Sequence, residues 1–324
     1  MPLKGAGSAR PYSSSSPEGT ELAVQAIAFA RKKRYVWLLF IAPAVIVLFS
    51  ISIFPMLFSL TLSFHDWTIM KTGGWKWVGL GNFANIILHD SYFRTSLQVT
   101  LLYLVCTVPV QFVLGLAVAL ILNEIVHRII GYLRVALILP AMMTPVVVGI
   151  VWRLMYNPDI GMLNYFLSFF GVHPISWTGM PGTALLSVVM ADTWEWTPFM
   201  ALIILAGLQS LPREPFEAAI VDGASYLRVL RFITLPLLRP MLVVAVLIRL
   251  MDSFKAFDLI FVLTQGGPGM STEILNYYTY RTGFKFFHMG YASALSWLLV
   301  VIVNIVATIL LRMIRARGIY AAGE

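Results

Sequence analysis

Six long runs of hydrophobic residues, separated by shorter polar segments, dominate the pattern along the chain. They extend approximately from Tyr35 to Phe64, Leu97 to Leu122, Val135 to Leu154, Ala184 to Leu208, Met241 to Leu263, and Ala292 to Leu311. Each run reaches the roughly 20 residues that an α-helix needs to cross a bilayer. The pattern therefore predicts an all-α, polytopic membrane protein with six transmembrane helices.

The composition agrees with this prediction, since 59% of the 324 residues are hydrophobic and only 12% are charged. A cleaved signal peptide does not explain the first run, because the run is too long and no small-residue cleavage site follows it. The single cysteine, Cys106, excludes an intrachain disulfide framework. The five histidines are scattered without the spacing of metal ligands.

The termini differ in composition from the membrane domain. Residues 1–34 begin with a Ser/Gly/Pro-rich stretch, which predicts a partly disordered N-terminal tail. The tail ends in a basic cluster, Arg31 to Arg34. Residues 35–315 form the predicted transmembrane domain, and residues 316–324 a short C-terminal tail.

Positive charges are distributed unevenly between the two sides of the predicted membrane domain. If the N terminus is cytoplasmic, the inner segments hold 15 of the 23 Lys and Arg residues and the outer loops hold 5. This bias follows the positive-inside rule. It predicts cytoplasmic termini and a cytoplasmic segment 209–240. The formal net charge of +8 therefore reflects membrane orientation rather than nucleic-acid binding.

The longest polar interruption, Glu217 to Pro240, has a distinctive local pattern. Pro215 suits the first turn of a helix, where its missing amide has no partner, and acidic residues suit the positive end of the helix dipole. Gly223 predicts a break in that helix, after which Asp222 or Ser225 could cap a second, short amphipathic helix limited by Pro236 and Pro240. Such an element outside the bilayer is either a docking site for another protein or a passive surface helix.

The same residues resemble a known motif. Glu217, Ala218, Ala219, Gly223, Ile233, Leu235 and Pro236 match the EAA loop of ABC importer permeases at every fixed position. The resemblance implies a type I ABC importer permease fold, in which this loop docks onto a separate ATPase subunit. It further implies that Glu217 and Asp222 make polar contacts, Ala218 and Ala219 pack closely, and Gly223 forms the bend.

Other segments resemble permeases for sugars, of the maltose and glycerol-phosphate type. They are Trp77 to Phe83, Asn157 to Asn164, Phe257 to Pro268, and Gly290 to Ser296. The resemblance implies a bacterial inner-membrane permease that forms a pathway with a second, homologous permease subunit. It also implies two ATP-binding subunits and a periplasmic solute-binding protein as partners.

Charged residues remain inside two of the predicted spans, where charges are costly and often functional. The fourth span carries Asp192 and Glu195, and the fifth carries a charged stripe with spacing of three, at Arg249, Asp252, Lys255 and Asp258. These residues either pair with one another or line a wet cavity for substrate. The positive and negative charges of these residues nearly cancel. The substrate is therefore a neutral oligosaccharide, a uronate oligomer or a phosphate ester such as glycerol phosphate, and the charges do not decide between them.

Aromatic rings beside polar groups suit sugars, whose C–H faces pack on indole or phenol while the hydroxyls form hydrogen bonds. Trp194, Trp196, Tyr103 and Phe254 are candidates, although ordinary helix packing explains any one of them equally well. The predicted substrate-pathway residues are Tyr103, Trp194, Glu195, Trp196, Arg249, Asp252 and Lys255. Prolines at 109, 140, 145 and 198 predict kinks in the second, third and fourth spans.

Tryptophans in the predicted outer loops have two interpretations. Trp67, Trp75, Trp77 and Trp177, with Tyr92, are either interfacial anchors or contacts for an external partner.

The chain carries no phosphate-binding loop of the Gly-x-x-x-x-Gly-Lys-Ser/Thr type and no recognisable catalytic constellation. We therefore expect no cofactor and no enzymatic activity in this chain, with ATP and Mg²⁺ bound by partner subunits. An ion-coupled secondary transporter that uses the fifth-span charges as a proton relay is the main alternative, and an intramembrane enzyme is another. Both leave the EAA pattern unexplained.

Overall fold

The computed structural model describes residues 40–70, 73–124 and 129–316, which are mostly helical. The N-terminal tail, its basic cluster and residues 317–324 of the C-terminal tail lie outside the described residues. The chain divides into two compact units, Met1–Ser59 and Leu60–Glu324.

The first hydrophobic run forms helix α1, Phe40–Ser63, with a π-helical segment at Phe49–Ile53. Within the first unit the described side chains of this helix are almost all exposed. A helix that is apolar on every face and lies unburied in its own unit is suited to contact with lipid.

The second unit begins with a small hairpin and contains the remaining helices. Strands β1, His65–Asp66, and β2, Lys76–Trp77, pair antiparallel, with His65 opposite Trp77. Helices α2, Gly81–Leu88, and α3, Ser91–Glu124, follow. The next elements are α4, Ile129–Met142, α5, Pro145–Met155, α6, Met162–Ser168, and α7, Pro181–Gln209.

The C-terminal half contains α8, Glu214–Val221, and the long helix α9, Tyr226–Ser253. Two short helices come next: α10, Asp258–Leu263, and α11, Leu275–Tyr280. The last helix is α12, Met289–Ala316. Among the described residues, five helices are long and apolar enough to span a membrane, and the bent pair α4–α5 makes six if it is one span.

The third predicted span is not a straight helix. The segments Val135–Met142 and Pro145–Met155 meet at an angle of 97°. Thr144 is extended, with φ −73° and ψ 143°, because a residue that precedes proline is pushed out of the helical region. The kink predicted from Pro140 and Pro145 is therefore confirmed, and the predicted third span, Val135 to Leu154, is this bent pair of helices.

The fifth predicted span is displaced along the chain. Helix α9 begins at Tyr226 and ends at Ser253, so the prediction of one span from Met241 to Leu263 is wrong. The helix passes through Pro236, and a π-helical turn, Leu230–Thr234, ends two residues before that proline. Wider turns of this kind accommodate an irregular hydrogen-bond pattern without ending the helix.

Buried residues form three clusters that order the helices from one end to the other. At one end, the start of α3 packs with α2, α11 and α12 through Phe93, Ile86, Leu275 and Leu295. A middle cluster includes Tyr103, Trp152, Val188 and Ile260. At the opposite end, the last turns of α3 and α7 pack on the start of α9 through Leu122, Leu208 and Leu238. The loop 210–225 therefore leaves the bundle at the end opposite residues 64–90 and 281–291.

Helices α3 and α7 approach closely at Gly115, which has no room for a larger side chain. A Cβ atom there would lie 2.8 Å from Met200 Cγ and 3.2 Å from Ala201 N. We expect Gly115→Ala to destabilise the bundle by about 1–3 kcal/mol, because overpacking forces the two helices apart. The loss would appear as a lower midpoint temperature in fluorescence-detected size-exclusion chromatography after heating.

The matched control is Gly182→Ala on the same helix pair, since nothing lies within 4 Å of a Cβ at Gly182. Alanine is the better helix former, so this variant should be as stable as the parent or more so. Equal midpoints for Gly115→Ala and the parent would contradict the packing argument.

Candidate functional site

The segment singled out in the sequence forms a helix, a sharp bend and the start of a second helix. Pro215 lies in the first turn of α8 together with Glu214 and Glu217, as predicted. The helix is followed by Gly223 with φ +67°, a left-handed conformation that favours glycine. A Cβ on Gly223 would meet nothing within 4 Å, so its backbone conformation rather than lack of space requires glycine.

The second helix differs from the prediction. It is the start of the long span α9, not a short surface helix limited by Pro236 and Pro240. Ser225 occupies the N-cap position, but its side chain makes no capping hydrogen bond. The bend at Gly223 is thus joined through a continuous helix to Ser253, beside the middle core.

The tip of the segment is open to solvent and carries apolar side chains. Ala219 is buried, whereas Glu217, Ala218, Asp222 and Gly223 are exposed. Around the bend, Ile220 and Val221 are 74% and 87% exposed, and Leu227 is 73% exposed. A groove of about 500 Å³ runs between α8 and the first turns of α9, past Pro215, Arg228 and Phe232. Apolar side chains concentrated at an exposed tip indicate a surface for another protein.

A buried polar network ties three spans together in the middle of the bundle. Arg249 of α9 is 1% exposed and forms an ion pair with Asp192 of α7. Its Nε donates to Gln111 Oε1 of α3 at 2.6 Å. Gln111 Nε2 in turn donates to Asp192 Oδ2 at 2.8 Å and to the Asp192 carbonyl at 3.0 Å. These bonds compensate for the cost of burying the two charges.

The two candidate tryptophans of α7 face different surroundings. Trp196 lies under the Arg249 guanidinium, whose carbon is 4.8 Å from the ring centroid. Trp194 packs edge-on against Trp152 at 6.0 Å and lines an apolar cavity of about 640 Å³ beside the bend at Pro140. The two indoles therefore do not form one stacking surface.

Several buried polar atoms near the network have no hydrogen-bond partner among the described residues, and two of them belong to candidate residues. These two are the hydroxyl of Tyr103, which is 0% exposed, and Oε2 of Glu195, which is 2% exposed. Such atoms are costly unless another molecule or a change of conformation satisfies them. They support the selection of Tyr103 and Glu195 as candidates for substrate contact.

The charged stripe expected along the fifth span is interrupted. Helix α9 ends at Ser253, so Lys255 follows the helix and Asp258 begins α10. Asp252 accepts from Arg249 Nη1 at 3.1 Å and lies 3.6 Å from Lys255, whose side chain is 73% exposed. Pairing among the charged residues of the spans thus accounts for Arg249. Asp252 and Lys255 lie on the more exposed side of the network. Phe254 is 2% exposed and belongs to the middle core.

Sequence reasoning missed an aromatic cluster beside this opening. Phe257, Tyr277 and Tyr280 pack with centroid separations from 4.9 to 6.2 Å, and Tyr280 stacks on the exposed ring of Phe284 at 5.4 Å. Their recurrence between residues 257 and 284 was a visible signal. The predicted fifth span, Met241 to Leu263, includes Phe257 and therefore separates it from the two tyrosines.

A second buried ion pair lies in the same region, outside the spans. Arg281 Nη2 is 2.7 Å from Glu273 Oε1, and Glu273 is fully buried. Burial raises the pKa of the Glu273 carboxyl, and the nearby Arg281 and Lys285 oppose that rise. The pair connects the loop before α11 to the turn before α12.

The tryptophans of the predicted outer loops contact neighbouring side chains. Trp177 Nε1 donates to Asn164 Oδ1 at 3.0 Å, and the same oxygen accepts from the Ile175 amide at 3.1 Å. Trp67 and Trp75 pack against each other at 5.6 Å, and Trp77 stacks on Phe64 at 5.8 Å. Tyr92 stacks on Tyr278 at 6.4 Å. No group of three or more metal-binding side chains occurs among the described residues.

The Arg249 network should be the most sensitive polar feature of the membrane domain. We expect Arg249→Ala to destabilise the protein by about 3–5 kcal/mol, because it leaves Asp192 as an unpaired buried charge. Lys255→Ala should cost at most about 1 kcal/mol, since the exposed ion pair with Asp252 is weak. Thermal unfolding of both variants in detergent measures the difference.

A double variant separates charge pairing from loss of packing. Arg249→Gln combined with Asp192→Asn removes both charges and keeps side chains that can form hydrogen bonds, so it should recover part of the stability that Arg249→Gln alone loses. The same loss in the single and double variants would show that the ion pair is not the stabilising contact.

Comparisons with known proteins agree with this geometry. The family model described as "Binding-protein-dependent transport system inner membrane component" matches residues 23–318. A probable ABC transporter permease protein of Sinorhizobium fredii is 39% identical over 302 residues, which cover 91% of this chain and 96% of the relative. The trehalose/maltose transport system permease protein MalF of Thermococcus litoralis is 36% identical over 283 residues, covering 86% and 93%.

A solved structure has the same fold. It is the crystal structure of a bacterial ABC transporter involved in the import of the acidic polysaccharide alginate, with a TM-score of 0.77 and 21% identity. The alignment covers 90% of this chain and 99% of that chain. At this level of identity the likeness concerns the fold. The family match over most of the chain and the two relatives above 30% identity lead to one conclusion: the chain belongs to the inner-membrane permease family of binding-protein-dependent ABC transport systems.

Proposed function

We propose that this chain is one of two permease subunits that together form the pathway of an ABC importer for a sugar or oligosaccharide. A periplasmic binding protein delivers the substrate, and two separate subunits bind ATP and Mg²⁺. The observation that carries the proposal is the continuity of α9. One end of this helix adjoins the exposed bend at Gly223, and its last turns hold Arg249 in the buried network.

The exposed tip of α8 supports its assignment as the surface that docks onto an ATPase subunit. Ile220 and Val221 are apolar and largely exposed, and Glu217 and Asp222 offer carboxylates beside them. Apolar side chains in the centre of a contact with polar groups at its rim are typical of protein interfaces. Ala218 adjoins the groove between α8 and α9, where its small side chain permits close approach.

Helix α9 would transmit the movement of the ATPase subunits to the pathway. A helix bonded along its length moves largely as a rigid body, so displacement at Tyr226 reaches Arg249 about 35 Å away at 1.5 Å per residue. Arg249 contacts both α3 and α7 through Gln111 and Asp192. The three helices would therefore rotate together when the importer alternates between inward-facing and outward-facing states.

Substrate contacts are proposed for groups that border the network without being fully engaged in it. Glu195 and Tyr103 have unpartnered buried atoms, and Asp252 is one-third exposed. Lys255 and Trp196 lie beside them, and Trp194 faces the separate apolar cavity. The name of the Thermococcus litoralis relative, a trehalose/maltose permease, supports a sugar rather than a phosphate ester as substrate.

The orientation of the chain is proposed from its charges. Residues 209–240 and both termini lie in the cytoplasm, because most Lys and Arg residues lie on that side. The loop 210–225 leaves the bundle opposite residues 64–90, which would then face the periplasm.

Family membership argues against the two alternative functions, an ion-coupled secondary transporter and an intramembrane enzyme.

A reconstitution experiment tests this function. The chain would be purified with its partner permease and ATPase subunits and placed in proteoliposomes with the binding protein. We expect uptake of a radiolabelled sugar that requires ATP and continues when an uncoupler collapses the proton gradient. Uptake without ATP that disappears with the uncoupler would contradict the proposal.

Position 223 tests the coupling role with a matched pair of variants. Gly223→Val places a β-branched residue at φ +67°, which strains the bend although space is available. We expect uptake to fall about tenfold or more while ATP hydrolysis loses its stimulation by substrate. Gly223→Asn should retain most of the coupling, since asparagine tolerates the left-handed conformation. Both are measured as uptake per ATP hydrolysed.

The control is membrane insertion, which should be equal for both variants because the side chain at 223 would meet no neighbouring atom. Gly223→Pro offers a harsher change at the same position. Undiminished uptake by Gly223→Val or Gly223→Pro would exclude a coupling role for the bend.

A further inference from the structure

A cavity of about 610 Å³ lies at the end of the bundle opposite the bend at Gly223. Its wall is formed by the hairpin loop, α2, the start of α3, and the segment before and into α12. This volume falls in the range of about 300–1,000 Å³ that is usual for small-molecule sites. None of the residues that line the cavity belongs to the Arg249 network, so the two sites are separate.

The cavity combines aromatic rings with polar groups. The aromatic members of its lining are Trp67, Tyr92, Tyr278, Phe286 and Tyr291, and the polar members include Asp66, Asn85, His89 and His288. The side chains of Asn85 and His89 are exposed. We propose that this cavity is a binding site for a neutral saccharide, at which substrate rests outside the membrane pathway. The proposal rests on the function proposed above and narrows the substrate to an uncharged sugar.

One side of the cavity is held in place by hydrogen bonds. Asp90 Oδ2 accepts from the hydroxyls of Tyr278 and Tyr291 at 2.6 and 2.8 Å, and its Oδ1 accepts from the Phe93 amide at 3.0 Å. Burial and the Asp90 carboxylate raise the pKa of Tyr278, so this phenol stays protonated and continues to donate. The carboxylate is fully engaged, and the tyrosine rings are fixed in position.

The opposite side is held by backbone bonds. Gly290 N donates to the Trp67 carbonyl at 3.1 Å, and Ile69 N donates to the Phe287 carbonyl at 3.2 Å. Phe287 has φ +60°, a conformation unfavourable for a bulky residue that persists only where the surroundings impose it. Phe286 and His288 on either side both line the cavity. The site is therefore preformed, which reduces the entropy lost when a ligand binds.

The charged side chains that line the cavity do not favour an anionic ligand. Arg281 borders the cavity, but its guanidinium is paired with the buried Glu273 at 2.7 Å. Asp66 and Asp90 contribute two carboxylates, so the field in the cavity does not favour a phosphate or a uronate. Hydroxyl groups of a neutral sugar can donate to Asp66 and exchange hydrogen bonds with Asn85, while a ring face of the sugar packs on Trp67.

The test measures binding directly, without the binding protein. The complex of both permeases and the ATPase subunits would be placed in nanodiscs and titrated with trehalose, maltose, cellobiose and digalacturonate. Saturation-transfer NMR reports which sugars bind. We expect at least one neutral disaccharide to bind and digalacturonate not to bind. Trp67→Ala and Asn85→Ala should each weaken that binding about tenfold.

Two controls separate this site from general damage to the fold. The Asn85 side chain is exposed, and the amides of His89 and Asp90 donate to the backbone carbonyl of Asn85 rather than to its side chain, so Asn85→Ala should leave thermal stability unchanged. Trp77→Ala removes a 66% exposed indole from the same loop but outside the cavity lining, and should bind sugar as the parent does.

Several outcomes overturn the proposal. They are equal binding by the parent and the two cavity variants, absence of binding by all three neutral disaccharides, and preference for digalacturonate. Native mass spectrometry that finds a phospholipid retained by the parent and lost from Trp67→Ala would assign the cavity to lipid instead. ATP-driven uptake, measured separately, decides the proposed function, because import can proceed with this cavity empty and binding can persist without import.

Discussion

The buried ion pair between Arg249 and Asp192 is the contact on which the arrangement of the spans depends. A guanidinium that is 1% exposed in a membrane domain is tolerable only if its donors are satisfied. Gln111 and Asp252 supply the remaining acceptors. Because these acceptors come from α3, α7 and α9, the need to satisfy one side chain fixes the relative positions of three helices. The small residue Gly115 then allows α3 and α7 to approach closely.

This constraint also explains how a change at one end of the molecule can affect the middle. Helix α9 contains Arg249 and begins just after the bend at Gly223. The helix includes a π-helical turn at Leu230–Thr234 and continues past Pro236. A short surface helix ending at that proline would have left the exposed bend separate from the network. The irregular turn instead places the start of α9, beside the bend, and the buried network on one continuous helix.

Much of the fold was predictable because membrane spans require long apolar runs, and those runs are visible in the sequence. The helix at Glu214 and the break at Gly223 were also predictable, since proline and glycine constrain the backbone locally. The bend at Thr144 was predictable from Pro145, but its angle of 97° and the end of α9 at Ser253 were not, because hydropathy alone does not distinguish a broken helix from a straight one. The pairing of Arg249 with Asp192 depends on helix packing, so the sequence left it as one alternative.

The same limit applies to the aromatic and polar groups at the end of the bundle opposite Gly223. Trp67, Asn85 and Tyr291 come from three separate segments and become neighbours only after α3 and α12 pack together. Trp177 is held by the hydrogen bond that its indole nitrogen donates to Asn164. Trp67 differs because exposed polar side chains, among them Asn85, line the same cavity. The hydroxyl groups of a saccharide could form hydrogen bonds with these side chains, whereas the acyl chains of a lipid could not.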